Sequence, residues 1–189
     1  MLRHLPNLVT ILRMLLVVPL CWLIDKGQYE GALVIAAVAG FSDAVDGFLA
    51  KHYGWQTWLG GILDPIADKL LLMAAFLWLA FAGDVPQWLA ALVIGRDLVI
   101  VGGAIAYYGL IGRFDAAPTL LSKITTVVQI VFVLAELLRL SHWIEMPDSA
   151  RNAAVVITAA LTIASGLHYV VVWSARAWRT RPVAGRRQP

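Results

Sequence analysis

Between Phe41 and Leu72 the chain reads FSDAVDGFLAKHYGWQTWLGGILDPIADKLLL, and its four aspartates interrupt a sequence otherwise apolar enough to lie in a membrane. A carboxylate in hydrocarbon is expensive, so such groups must face a bundle interior or a watery cavity. Asp43 and Asp46 stand three apart at the end of one apolar run, and Asp64 and Asp68 four apart at the start of the next. On helices, both spacings put each pair on a single face. A chain that leaves the membrane after about residue 52 and re-enters near Gly61 is a hairpin, which brings both pairs to one membrane surface. Unit charges ~4 Å apart repel by ~4 kcal/mol at an effective dielectric of about 20, so four ionised carboxylates share a site only with cations or bound protons. All the ligands are hard oxygens, with no His or Cys among them, which points to magnesium or manganese rather than zinc, with room for two ions.

Composition excludes an ordinary soluble domain: 60% of the 189 residues are hydrophobic, 14% are charged, and the mean hydropathy is +0.77. The expected fold is all-α, a polytopic protein with six transmembrane helices in a lipid bilayer. Spans are expected at about 7–24, 30–51, 61–82, 86–110, 119–140 and 152–174, each close to the ~20 residues that cross a ~30 Å hydrocarbon core. The first run could pass for a secretory signal ending at Cys21. However, Pro19 and Leu20 stand where a cleavage site needs small residues, Arg13 interrupts the apolar region, and further apolar runs follow. Cys21 is the only cysteine and has no partner for an internal disulfide, so it reads as a packing residue.

Residues 1–175 read as one membrane domain and 176–189 as a basic cytoplasmic tail, carrying Arg176, Arg179, Arg181, Arg186 and Arg187. The positive-inside rule places that tail in the cytoplasm. Six spans then put the amino terminus, the Lys51–Trp58 connection and the Arg113 loop on the same side, so the aspartates open to the cytoplasm. Tryptophans near the run ends, such as Trp88 and Trp143, suit interfacial anchoring. The expected location is a bacterial inner (cytoplasmic) membrane. Nucleic acid is not an expected partner.

Written with its glycines, the central stretch is Asp43-x-x-Asp46-Gly47-x-x-Ala50-Lys51, eight residues, then Gly60-x-x-x-Asp64-x-x-x-Asp68. It closely resembles the signature of the CDP-alcohol phosphatidyltransferases. The resemblance implies a six-helix membrane enzyme, likewise homodimeric, that moves a phosphatidyl group from CDP-diacylglycerol to an alcohol and releases CMP. It implies that Asp43, Asp46, Asp64 and Asp68 hold Mg2+ or Mn2+, with Asp68 also the catalytic base. It assigns the CDP-diacylglycerol pocket to Gly47, Ala50, Lys51 and Gly60, together with Asn7, Thr10 and Arg13 of the first span. Lys51 departs from the family's usual arginine, and lysine cannot supply a planar two-donor grip on phosphate. The chemistry agrees: displacing CMP requires diphosphate charge to be offset and a hydroxyl proton to be removed, tasks for metal and carboxylate.

For the acceptor, Arg96-Asp97 and PTLLSKITTVVQ, with Lys123, resemble the CMP-forming cardiolipin synthases, which use phosphatidylglycerol. In that reading Arg96 and Lys123 meet the acceptor phosphate. Phosphatidylglycerophosphate synthases, which use glycerol 3-phosphate, are the alternative. They typically carry a second arginine eight residues after the counterpart of Arg96, where this chain has Ala104. Plainer readings stand beside these. Arg96 and Asp97 are equally a structural ion pair, Lys69 pairs with a nearby acid, and Glu136 with Arg139 is a local helical pair. The four histidines sit mostly near span ends and read as interfacial. A cation carrier or channel is the distant alternative, and it would spread its acids along a pathway rather than gather them at one surface.

Overall fold

The computed structural model describes residues 5–53, 58–111 and 119–179, with side-chain surroundings for 10–42, 67, 69–103 and 119–172. Among these residues there are six helices and no strand: α1 (Leu5–Asp25), α2 (Tyr29–Tyr53), α3 (Trp58–Ala82), α4 (Gln87–Ile111), α5 (Leu120–Leu140) and α6 (Asp148–Arg179). Each coincides with an apolar run of the sequence. Two differ in extent. α3 starts at Trp58 and takes in Gly60 and Gly61, although each glycine costs about 1 kcal/mol of helix propensity. Pro65, expected in the first turn, therefore lies further inside the helix. α6 runs on to Arg179, so the first residues of the basic tail, Arg176 and Arg179 among them, are helical.

Three short connections gather at one end of the bundle. After α1 and α3 the chain reverses through Gly27 (φ 66°) and Gly83 (φ 85°), left-handed positions that glycine occupies without a Cβ clash. Gln28 N–H donates to Leu23 O and Asp84 N–H to Leu79 O, which satisfies carbonyls at each helix end. The same motif ends α5, where Trp143 N–H donates to Leu138 O, but here the left-handed residue is His142 (φ 59°). α5 begins at Thr119, whose hydroxyl accepts from Ser122 N–H.

α1 packs on α2 and α3, α3 on α4, α4 on α6, α6 on α5, and α5 back on α2, so the helices close a ring. α5 also crosses the ring to α3, where Phe76 and Phe132 stack with centroids 5.8 Å apart. The apolar core fills the half of the ring nearest the three turns: Leu20 and Ile24, Ala32 and Leu33, Phe76 and Leu79, Leu89 and Val93, Leu137, Val155. Outward faces carry Leu15, Val18, Phe41, Leu98 and Val171, whereas Thr10, Arg13, Arg96, Asp97, Gln129 and Glu136 are buried. An apolar exterior around a polar interior suits a lipid surround and not water. Among the described residues, Leu120–Leu140 and Asp148–Val172 are long and apolar enough to cross a membrane, and Tyr29–Ser42 and Lys69–Ala82 are shorter apolar segments.

Candidate functional site

The helices fix the level at which the four aspartates stand. Because α2 leaves and α3 reaches the same turn-bearing end, distances along their axes can be compared. At 1.5 Å per residue, Asp43 and Asp46 lie about 21 and 26 Å from Tyr29 along α2, and Asp68 and Asp64 about 21 and 27 Å from Ala82 along α3. Both pairs thus occupy one layer, as the hairpin reasoning required. The side chains of these four, and those of Asn7, Ala50 and Lys51, lie outside the described residues, as do the surroundings of Gly47 and Gly60. α1 packs on both aspartate-bearing helices and buries Thr10 and Arg13. Their three-residue spacing places them on one face, turned into the bundle.

A second polar group is fully visible, on the adjoining side of the ring. Arg96 of α4 donates through Nη1 to Asp97 Oδ1, and through Nη2 to Ser122 Oγ of α5 and Ser165 Oγ of α6, both at 2.7 Å. Its side chain is 4% exposed and that of Asp97 5%. Lys69 of α3 brings its Nζ within 3.5 Å of the same Asp97 oxygen while remaining 37% exposed. Arg96 Nε is buried without a hydrogen-bond partner. The ion pairs anticipated for Arg96 with Asp97 and for Lys69 with an acid are therefore both present. Lys123 follows Ser122 on α5 and is exposed. Since Lys69 is the chain neighbour of Asp68, this group stands at the level of the aspartates.

Below it runs a polar seam between α5 and α6. Gln129 Nε2 donates to Thr162 Oγ1 at 3.0 Å, Thr162 Oγ1 donates to Thr158 O, and Thr125 Oγ1 reaches Leu121 O and Leu161 O. Within hydrocarbon these bonds leave few polar atoms orphaned and hold the two helices in register. The stretch singled out in the sequence, PTLLSKITTVVQ, contains Ser122 and Gln129, whereas Ser165, Thr158 and Thr162 were missed. The signal was available: 158, 162 and 165 follow the i, i+4, i+7 pattern of one helix face.

At the turn-bearing end a different ionic group closes the bundle. Glu136, 1% exposed, accepts through Oε2 from Arg139 Nε and Nη2 at 2.9 and 2.8 Å and through Oε1 from Arg151 Nε at 3.1 Å. Arg151 Nη2 also donates to Asp84 O, and Asp84 Oδ2 accepts from Tyr29 OH at 2.7 Å. The pair expected between Glu136 and Arg139 is thus part of a larger set that ties together α2, α5, α6 and the connection between α3 and α4.

Comparison with known proteins bears on this arrangement directly. The family model described as CDP-alcohol phosphatidyltransferase matches residues 3–173. A probable phosphatidylglycerophosphate synthase of Mycobacterium tuberculosis is 34% identical over 98% of this chain and 86% of its own length. A probable CMP-forming cardiolipin synthase of Drosophila melanogaster is 32% identical over 88% of this chain and 56% of its own. The CDP-diacylglycerol--glycerol-3-phosphate 3-phosphatidyltransferase of Bacillus subtilis is 30% identical over 88% and 93%. A match that runs from the first helix into the sixth takes in the aspartate layer, Thr10 and Arg13 on α1, and the Arg96 group, and the chain belongs to the CDP-alcohol phosphatidyltransferase family.

Proposed function

We propose that this enzyme transfers the phosphatidyl group of CDP-diacylglycerol to phosphatidylglycerol, forming cardiolipin and releasing CMP. The acceptor hydroxyl attacks the phosphatidyl phosphorus, the bond to the CMP oxygen breaks, and Asp68 takes the hydroxyl proton. Four carboxylates in one layer form an all-oxygen donor set that fits magnesium or manganese. Asp43, Asp46, Asp64 and Asp68 would hold the ions, two in number, and the charge so supplied would offset that of the diphosphate. Gly47 and Gly60 let the nucleotide approach the backbone closely, Ala50 keeps its pocket clear, and Asn7, Thr10, Arg13 and Lys51 complete it.

The observation that carries the choice of acceptor is Arg96. It is the one guanidinium that α4 offers, it is buried among α4, α5 and α6, and position 104, where a second would stand, is alanine. A single buried arginine, helped by Lys123, suits the one charge of a phosphodiester. A second reading, with glycerol 3-phosphate as acceptor, is favoured by the match to the mycobacterial protein over 86% of that protein's length.

In the bilayer the six helices are six spans in a domain of residues 1–175, with the aspartate layer and both termini towards the cytoplasm of a bacterial inner membrane. Trp88 and Trp143, exposed near the turns, mark the opposite interface. The basic tail, residues 176–189, meets anionic lipid. The working form is a homodimer.

The test is CMP release from CDP-diacylglycerol by the purified protein in lipid, with each acceptor in turn. Phosphatidylglycerol is expected to give the higher kcat/KM, in a reaction that needs Mg2+ or Mn2+. A reversed preference moves the assignment to glycerol 3-phosphate, and ion conduction without CMP release with any acceptor removes the enzyme reading. Asp68→Asn is expected to abolish turnover while CDP-diacylglycerol still binds; near-normal turnover would remove Asp68 as the base.

A further inference from the structure

We propose that Asp97 sets the net charge of the acceptor site and thereby selects an acceptor with one negative charge over one with two. This rests on the reading of Arg96 as the partner of the acceptor phosphate. Arg96 and Lys69 bring two positive charges to the meeting point of α3, α4, α5 and α6, and Asp97 takes one away through an oxygen that contacts both. Among these three contacting groups a single positive charge remains, where the guanidinium is 4% exposed; Lys123, exposed on α5, adds its charge only through solvent. Water and salt screen little around the guanidinium and the Asp97 carboxylate, so an imbalance of one charge beside them is felt by whatever binds.

A phosphodiester carries one negative charge at neutral pH, and a phosphomonoester carries ≈ 1.5 to 2. The group as built neutralises the first and leaves the second with uncompensated charge beside a buried carboxylate. Discrimination of this kind works by repulsion, so the residue responsible need not touch the favoured acceptor. Asp97 has a second role, because it holds Arg96 Nη1 while Ser122 and Ser165 hold Nη2. Its loss therefore lowers turnover with any acceptor, and only the ratio between acceptors isolates the effect of charge.

The experiment uses the full-length protein in liposomes with CDP-diacylglycerol and Mg2+, and reads kcat/KM for glycerol 3-phosphate divided by that for phosphatidylglycerol. Asp97→Asn is expected to raise this ratio roughly ten-fold, about 1.4 kcal/mol, while Asp97→Glu leaves it within about two-fold. Lys69→Met, which removes the net positive charge, is expected to lower the ratio. An equal fall for both acceptors in Asp97→Asn, with the ratio unmoved, overturns the proposal. Should Asp97→Asn fail to fold, Lys69→Met decides, and a ratio it leaves unmoved overturns the proposal equally. Arg96→Lys separates the two levels. If it raises the KM of the acceptors while the Asp97→Asn ratio is unmoved, only the selection by Asp97 fails. If it raises the KM of CDP-diacylglycerol and leaves the acceptors unaffected, the acceptor reading of Arg96 fails and takes the proposal with it.

Discussion

Two buried ionic groups lie about 21 Å apart along α5 and α6, at 1.5 Å per residue, and they are built on opposite plans. In the one at the turns, Glu136 receives Arg139 on one oxygen and Arg151 on the other, and Arg151 goes on to a backbone carbonyl. Each partner is an arginine whose outer atoms reach the surface, and none of their buried nitrogens is without a hydrogen bond. In the group around Arg96 the central charge is the cation, its Nε has no partner, and Lys69 reaches from a half-exposed position beside a catalytic candidate. The first group is finished by the protein alone. The second has polar capacity left over, in the layer that also contains the four aspartates. A buried charge is therefore weak evidence of function by itself; what separates the two is unsatisfied capacity and proximity to the rest of the site.

The sharpest break of this comparison comes from Glu136→Gln. Removing one partner of a buried ion pair typically costs about 3–5 kcal/mol, because the other charge is left uncompensated. Here Arg139 and Arg151 are 26% and 28% exposed and can turn to water, so the lower end, about 3 kcal/mol, is expected. The unfolding midpoint in detergent should fall substantially, while the acceptor ratio of the surviving folded enzyme stays as in the parent. A changed ratio would mean that the turn-bearing end communicates with the site, and the contrast between the groups would be lost.

Ser165→Ala probes the other side. Its hydroxyl accepts from Arg96 Nη2, and a hydrogen bond to a charged group contributes about 1.5 kcal/mol or more. Because Ser122 still holds the same nitrogen, the main expected effect is a several-fold rise in acceptor KM, with kcat and the unfolding midpoint little changed. Threonine at 165 keeps a hydroxyl and should restore most of the affinity. A large loss of stability with an unchanged KM would assign Ser165 to packing and weaken the case for Arg96 as a binding group.

The sequence disclosed the helices and the layer of the aspartates for a simple reason. Apolar runs of membrane length have few ways to fold, and carboxylates spaced three and four apart advertise a shared face. Arg96 and Lys69 were legible as charges out of place in such runs. The pairing of Arg96 with Asp97 was legible too, but nothing in the sequence said that Lys69 would reach the same carboxylate from another helix. Ser165 was hidden more deeply. Serine and threonine are tolerated throughout apolar helices, where they can bond to their own backbone, as Thr162 does to Thr158 O. Only the ring order, with α4 against α6, shows which hydroxyl faces a guanidinium. The helix ends differ in how well residue type matches conformation: Gly27 and Gly83 are the type that a left-handed turn favours, and His142 is not.

That last position gives the smallest effect and a control for the others. His142 adopts φ 59° at the end of α5, in a conformation that costs a residue with a Cβ roughly 1 kcal/mol relative to glycine. Gly27 and Gly83 show that the same reversal is made with glycine elsewhere at this end of the bundle. The side chain is exposed, so its removal leaves no cavity. Glycine also gains freedom in the unfolded chain, which offsets part of the benefit, and a net stabilisation of about 0.5 kcal/mol is expected for His142→Gly. The measurement is the unfolding midpoint in detergent, beside CMP release with both acceptors. A small rise in the midpoint with unaltered kinetics would show that this end of the molecule can be made firmer without consequence for the chemistry. A fall would mean that the imidazole holds a contact worth more than the backbone strain, and that the open groove it lines with Gln28, Tyr29 and Glu30 depends on it.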